Sequence, residues 1–284
     1  MTEVLRFESD AGCWEMRRRA PAPALRGIVA GGYCGWSESV SPAPVRRELP
    51  TAKVPLIFDF GAGYRVGAPG QAIGDAAPFG SFVAGLYESF AETQACGPTI
   101  GVQVDLTPLG AFRLLGLPMS ELAGRGVALA EALGHDGGDF IERLAESRDW
   151  ERRFALVDAE LTARLRAAPA PAPSVEWAWS RLASTGGTAA IAPLAHAVGW
   201  SQKHLIARFR EQVGLAPKRL ARVLRFERFT GRLRGARRHG WATLALDCGY
   251  YDQAHLNRDC RAFAGCTPRQ LAARMLPGGG WAGG

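Results

Sequence analysis

Two short segments fifty residues apart constrain this chain more than any other feature of its sequence. The first holds Leu194, Ala195, Gly199, Trp200 and Ser201; the second holds Leu244, Ala245, Gly249, Tyr250 and Asp252. In each, an alanine stands four places before a glycine, an aromatic follows the glycine directly, and a polar residue able to cap a helix comes one or two places later. Alanine lets two helices cross closely, glycine accepts the positive φ of a sharp turn, and Ser or Asp accepts a hydrogen bond from an orphan N–H at a helix start. The pattern predicts helix, turn and helix, twice.

In the first unit the spacing predicts a helix from about Ala192, with Pro193 tolerated in its first turn and Leu194, Ala195 and Val198 facing inward. Ser201 then caps a helix over 201–212 with Leu205, Phe209 and Val213 inward. In the second unit Thr243 is expected to cap a helix carrying Leu244, Ala245 and Cys248, and Asp252 one running through Leu256 and Cys260 to about Phe263. The second copy is one residue longer between its glycine and its inward leucine, Gly249 to Leu256 against Gly199 to Leu205. Between the units, 217–234 reads as one long helix, with Leu220, Val223, Leu224 and Leu233 inward and Arg219, Arg222, Arg225, Arg228 and Arg232 around it. Such a helix is a rigid strut. A further helix over 175–183, with Val175, Trp177 or Ala178, Trp179 and Leu182 at helical spacing, ends at Gly186-Gly187.

Residues 167–174 read AAPAPAPS, and alternating prolines forbid a helix and favour an extended spacer. The spacer divides a domain over 1–166 from one over 175–276, with a flexible Gly-rich tail over 277–284. Before residue 175 there are 17 basic and 21 acidic residues, net −4; from there on there are 17 and 6, net +11. A compact basic domain beside a mildly acidic one points to a polyanion-binding module tied to something else.

The 284 residues suit two domains at roughly 100 to 200 residues each. With 47% apolar positions the chain is too hydrophobic for disorder. The longest apolar stretches are broken, 122–133 by Arg125 and Glu131 and 56–60 by Asp59, so no transmembrane helix is expected. The opening residues carry Glu3, Arg6 and Glu8 where a secretory signal needs an apolar core, and a cytoplasmic protein is expected. Cys13, Cys34, Cys96, Cys248, Cys260 and Cys266 lack short paired spacings, so neither zinc nor a disulfide framework is indicated.

Before about residue 101 the chain reads as short strands, LIFDF, YRV and SFVAGLY, separated by turns such as Gly61-Ala62-Gly63. From Thr107-Pro108, a cap followed by proline at the first helical position, the pattern turns helical. The segments 126–133, 140–145 and 150–165 continue it. The expected class is α+β: a β-rich, sensor-like N-terminal domain with a helical subdomain, then an all-α domain with two helix-turn-helix units. A cupin-type metal site is excluded from the β region, because the first histidine of the chain is His135. Zinc-dependent alkyl transfer is disfavoured because Cys13, Cys34 and Cys96 lack close pairs.

The stretches LAHAVGWSQKHLIARFREQVGLAPKRL (194–220) and LALDCGYYDQAHLNRDCRAFAGCTPRQL (244–271) carry a resemblance. Over about 175–276 the sequence resembles the C-terminal DNA-binding domain of the AraC/XylS family of bacterial transcription regulators. Gly249 with its aromatic, the Leu256 and Arg258 pair, and the closing Gly265-Cys266-Thr267-Pro268 fall in the family's signature segment. Cys260 stands where the family usually has Phe. Ile206 and Ala207 stand where relatives often carry polar or basic side chains.

The resemblance implies a sequence-specific regulator whose partner is double-stranded DNA, read in successive major grooves. A recognition helix enters the groove with its N-terminal part toward the bases. The expected base readers are Gln202, Lys203, Ile206 and Ala207 on the first, and Gln253, Ala254, His255 and Arg258 on the second. Gln suits adenine, Arg suits guanine, and apolar side chains suit thymine methyl groups. Ser201, Lys218, Arg219 and Thr243, near helix starts, are the expected phosphate contacts.

For the N-terminal domain the resemblance implies a small organic effector or dimerisation; a homodimer and contact with RNA polymerase stay open. Phe58, Phe60, Tyr64, Phe82 and Tyr87 are candidate effector-pocket residues, with core packing as the other reading. No catalytic residue, metal or cofactor is implied, and the chain is not expected to be an enzyme. The competing reading is a DNA-binding domain fused to an enzyme domain that processes a small molecule.

Overall fold

The computed structural model describes residues 2–9, 12–40, 42–67, 73–233, 240–274 and 281–282. The strands are β1 (Glu3–Ser9), β2 (Gly12–Arg19), β3 (Val29–Val40), β4 (Arg46–Glu48), β5 (Val54–Asp59), β6 (Tyr64–Gly67), β7 (Pro78–Phe79), β8 (Phe82–Ala84), β9 (Ala91–Ala95), β10 (Thr99–Leu106), β11 (Gly126–Ala128) and β12 (Trp281–Ala282). They form a seven-stranded sheet in the order β1-β2-β3-β10-β5-β8-β11 and a five-stranded one in the order β12-β4-β9-β6-β7. Their pairings are antiparallel, as expected where hairpins rather than crossover helices join the strands. At the centre, Leu56 and Phe58 of β5 and Val102, Val104 and Leu106 of β10 are fully buried.

The helices are α1 (Pro108–Leu115), α2 (Leu129–Leu133), α3 (Gly137–Glu146), α4 (Trp150–Ala167), α5 (Pro173–Ser184), α6 (Ile191–Ala197), α7 (Gln202–Val213), α8 (Pro217–Leu233), α9 (Trp241–Asp247), α10 (Gln253–Ala264) and α11 (Pro268–Arg274). Helix α1 starts where expected: the Thr107 side chain accepts from the Gly110 N–H at 3.0 Å and Pro108 takes the first helical position. Among the described residues no helix is long and apolar enough to cross a membrane.

Helix α4 buries Phe154, Val157 and Leu161, packs on α1 and the Pro23–Leu25 turn, and stacks its Phe154 ring on Tyr33 of β3 at 5.9 Å. Its Asp158 carboxylate accepts from Arg19 (3.0 Å), the Ala22 N–H (2.7 Å) and the Tyr33 hydroxyl (2.7 Å), which ties the helix to the end of β2 and to β3. Arg153, 4% exposed, lies between the Phe60 and Trp150 rings and donates to the Leu144 carbonyl, near the end of α3, at 3.1 Å. Two aromatic faces and a helix C-terminus account for its burial without a carboxylate.

The proline spacer contains an extended stretch between Ala167 and Pro173, and α5 begins with Pro173 in its first turn, two residues ahead of the boundary read from composition. Val175, Ala178 and Leu182 are its buried face. Of the tail, Trp281–Ala282 pairs with Arg46 and Arg47 of β4 as a short strand rather than running free; 277–280 and 283–284 lie outside the described residues. Residue 234, where the strut was expected to end, also lies outside them. Buried in α8 are Leu220, Val223 and Leu233 as expected, and also Phe226 and Phe229.

Candidate nucleic-acid interface

The two helix-turn-helix units are built alike down to single hydrogen bonds. In α6–α7 the Trp200 N–H donates to the Ala195 carbonyl at 3.0 Å; in α9–α10 the Tyr250 N–H donates to the Ala245 carbonyl at 3.0 Å. Gly199 (φ +69°) and Gly249 (φ +84°) take the left-handed backbone that each turn needs, which a side chain would strain. Ser201 caps α7 by accepting from the His204 N–H at 3.2 Å, and Asp252 caps α10 by accepting from the His255 N–H at 2.6 Å.

The cap expected at Thr243 is not there. Helix α9 begins at Trp241 with Gly240 as its N-cap, the Gly240 carbonyl accepting from the Leu244 N–H at 3.0 Å. Thr243 is therefore an exposed residue of the first turn.

On α7 the inward side is Leu205, Phe209, Gln212 and Val213, and Gln202, Lys203, Ile206 and Ala207 are all exposed. On α10 Leu256, Asp259, Cys260 and Phe263 are buried while Gln253, Ala254 and Arg258 are exposed. His255 is half-buried: its ring stands edge-on to Tyr250 at 5.1 Å, and its Nδ1 accepts from the Tyr251 N–H at 3.5 Å. That leaves it less free to reach a base than its neighbours. His204, given no role from sequence, packs edge-on against Trp200 at 4.4 Å in the matching place.

Among the expected phosphate contacts, Ser201 and Lys218 are exposed near helix starts. Arg219 is engaged elsewhere: its Nη1 lies 2.5 Å from Glu88 Oε2 of the N-terminal domain. Two strut arginines are structural. Arg222 gives two hydrogen bonds to Asp259 Oδ1 (2.7 and 3.2 Å), and Arg225 donates to the Gly187 carbonyl at 2.6 Å. Both lie over aromatic rings, Arg222 on Phe263 and Arg225 on Tyr250. Burial and the nearby Asp259 carboxylate push the Tyr250 hydroxyl pKa well up, so it stays neutral. Cys260 is fully buried, and Phe226 against Phe263 (5.1 Å) supplies aromatic packing to the same core.

Tyr251, 87% exposed beside α10, is not among the expected site residues, although the one-residue excess of the second copy is a signal for it. Asp259, whose partner lies 37 residues away, is not among them either.

The five candidate effector aromatics keep separate company. Phe58 is fully buried edge-on to Phe140 (5.6 Å) and Phe82 is buried beside Phe79 (5.7 Å). Phe60 lies beneath Arg153, and Tyr64 accepts from Trp36 Nε1 at 3.0 Å, burial pushing its hydroxyl pKa up to about 12. Tyr87 is half-buried. These contacts match core packing, and the open groove along α4 lined by Asp158, Ala159 and Thr162 among others includes none of the five.

Two capped recognition helices on one strut define a double helix-turn-helix domain. Residues 194–274 match the family described as a helix-turn-helix domain, and the resemblance carried by the two motif stretches is borne out: this part of the chain is an AraC-type DNA-binding domain. Residues 17–128 match a domain of unknown function (DUF6597). No curated protein matches the chain. Among solved structures, a transcriptional regulator with an AraC-type DNA-binding domain from Chromobacterium violaceum is 24% identical, over 36% of this chain and 90% of that one, with a TM-score of 0.32. ToxT from Vibrio cholerae O395 is 10% identical over 82% of this chain and 96% of its own, with a TM-score of 0.45. ToxT from Vibrio cholerae strain SCE256, solved with an unsaturated fatty acid bound, is 8% identical over 83% and 95%, also with a TM-score of 0.45.

Proposed function

We propose that this DNA-binding transcription regulator reads an asymmetric duplex site with α7 and α10 in successive major grooves, and that its N-terminal domain modulates that binding without catalysis. The observation that carries the reading is the exposure of Gln202, Lys203, Ile206 and Ala207 on one capped helix and of Gln253, Ala254 and Arg258 on its counterpart, in a domain of net charge +11. With several phosphate contacts, affinity of the full chain for its own upstream DNA is expected to fall about 10³- to 10⁵-fold between 50 and 200 mM salt. Footprinting is expected to show two protected patches about one turn, roughly 34 Å, apart. A flat salt response or protection of a single groove overturns this reading.

Modulation is supported by contacts between the domains. Helix α1 and the turn over Met119–Glu121 pack on α7, the Ala52 N–H donates to Glu227 of the strut at 3.1 Å, and Glu88 holds Arg219. In this reading a small organic effector or a dimer contact acts on the N-terminal domain, and DNA competes with Glu88 for Arg219. Glu88→Gln frees that arginine, and the log–log salt slope steepens by about one. An unchanged slope leaves Arg219 as an interdomain contact alone.

A further inference from the structure

Resting on the regulator reading above, we propose that Tyr251 holds a DNA backbone phosphate at the second recognition helix by donating its phenolic hydroxyl. The first unit passes from its turn glycine to its cap in two residues, Gly199 to Ser201; the second takes three, Gly249 to Asp252. The extra residue is Tyr251. Tyr250 turns into the core at 2% exposure, and Tyr251 is left 87% exposed immediately before the cap. Its N–H donates to His255 Nδ1 at 3.5 Å, which ties its backbone to α10, while its hydroxyl has no partner among the described residues.

The two caps differ in charge, and that difference gives the extra tyrosine its task. Ser201 leaves a neutral hydroxyl at the start of α7, where helix N–H groups favour a phosphate. Asp252 puts a carboxylate at the start of α10, bound to the His255 N–H at 2.6 Å. That carboxylate takes the anion position itself and repels a second anion. A phosphate passing this end of α10 needs a donor set beyond Asp252. Tyr251 stands there, on the side of the chain that leads into the exposed Gln253, Ala254 and Arg258. Tyrosine is an ordinary phosphate donor in DNA complexes, and a neutral one.

The neutrality makes the assignment separable from any basic contact. The full chain is titrated with duplex from its own upstream region across salt concentrations, as wild type, Tyr251→Phe and Tyr251→Ala. Tyr251→Phe is expected to weaken binding about two- to tenfold, the range of one hydrogen bond, and Tyr251→Ala at least as much. The salt slope stays unchanged, because no phosphate charge is neutralised by a phenol. Base preferences in selected sites and the thermal midpoint stay as in wild type. Wild-type affinity in Tyr251→Phe, a slope lowered by about one, or altered preference at a base pair overturns the proposal. If that occurs while Arg258→Ala still shifts base preference, the regulator reading stands and only the role of Tyr251 falls. A wild-type chain that binds no duplex at low salt overturns both.

Discussion

Replacing Arg222 by alanine is expected to destabilise the DNA-binding domain by about 3 to 5 kcal/mol, the cost of stranding a buried charge. Asp259 of α10 is 3% exposed, and among the described residues its Oδ1 is held by the Arg222 guanidinium from α8, at 2.7 and 3.2 Å. Its Oδ2 has no hydrogen-bond partner among the described residues. The arginine side chain is 35% exposed, so water entering the vacated space relieves part of the loss and favours the lower end of the range. A domain commonly holds about 5 to 15 kcal/mol of stability in all, so this one substitution removes a large share of it. Chemical denaturation of the two proteins measures the difference. Asp259→Asn in the Arg222→Ala background should recover most of it, because the stranded charge is then gone. A loss under about 1 kcal/mol, typical of an exposed pair, would show that the contact adds little to the fold.

That ion pair marks the boundary of what local pattern reveals. The caps at Ser201, Asp252 and Thr107 and the turn glycines Gly199 and Gly249 depend on residues within a few positions of one another, and each forms as its spacing predicts. Arg222 with Asp259, and Arg219 with Glu88, join residues 37 and 131 positions apart, and nothing near any of the four announces a partner. Thr243 misled because a good capping residue stood two places inside the helix, while the true cap, Gly240, has no side chain to signal it.

Phe226 and Phe229 were missed for a different reason. Helix α8 packs against α5, α7 and α10, so its apolar face is wider than the single stripe that one-sided periodicity describes. The N-terminal aromatics show the limit for function: Phe58 and Phe82 in strands look the same in sequence whether they line a pocket or fill a core, and their packing on Phe140 and Phe79 becomes visible only in the fold.

Arg258→Ala is expected to cost about 1 to 3 kcal/mol of specific binding and to relax preference at one base pair. Arg258 follows the buried Leu256 by two positions, which turns it away from the core, and it is exposed on the same helix as Gln253 and Ala254. A bidentate arginine contact to guanine O6 and N7 couples affinity to base identity, whereas a phosphate contact does not. Lys218→Ala is the matched control. Lys218 is exposed beside the start of the strut, so its loss should weaken every sequence alike and lower the salt slope by about one. Sites selected from a random library by the wild type and the two variants separate the cases. A uniform loss of affinity with unchanged preference in the Arg258 variant would move that arginine to the phosphates. Direct readout by the second unit would then fall chiefly to Gln253, the exposed reader at the start of α10, because His255 is already half-buried against Tyr250.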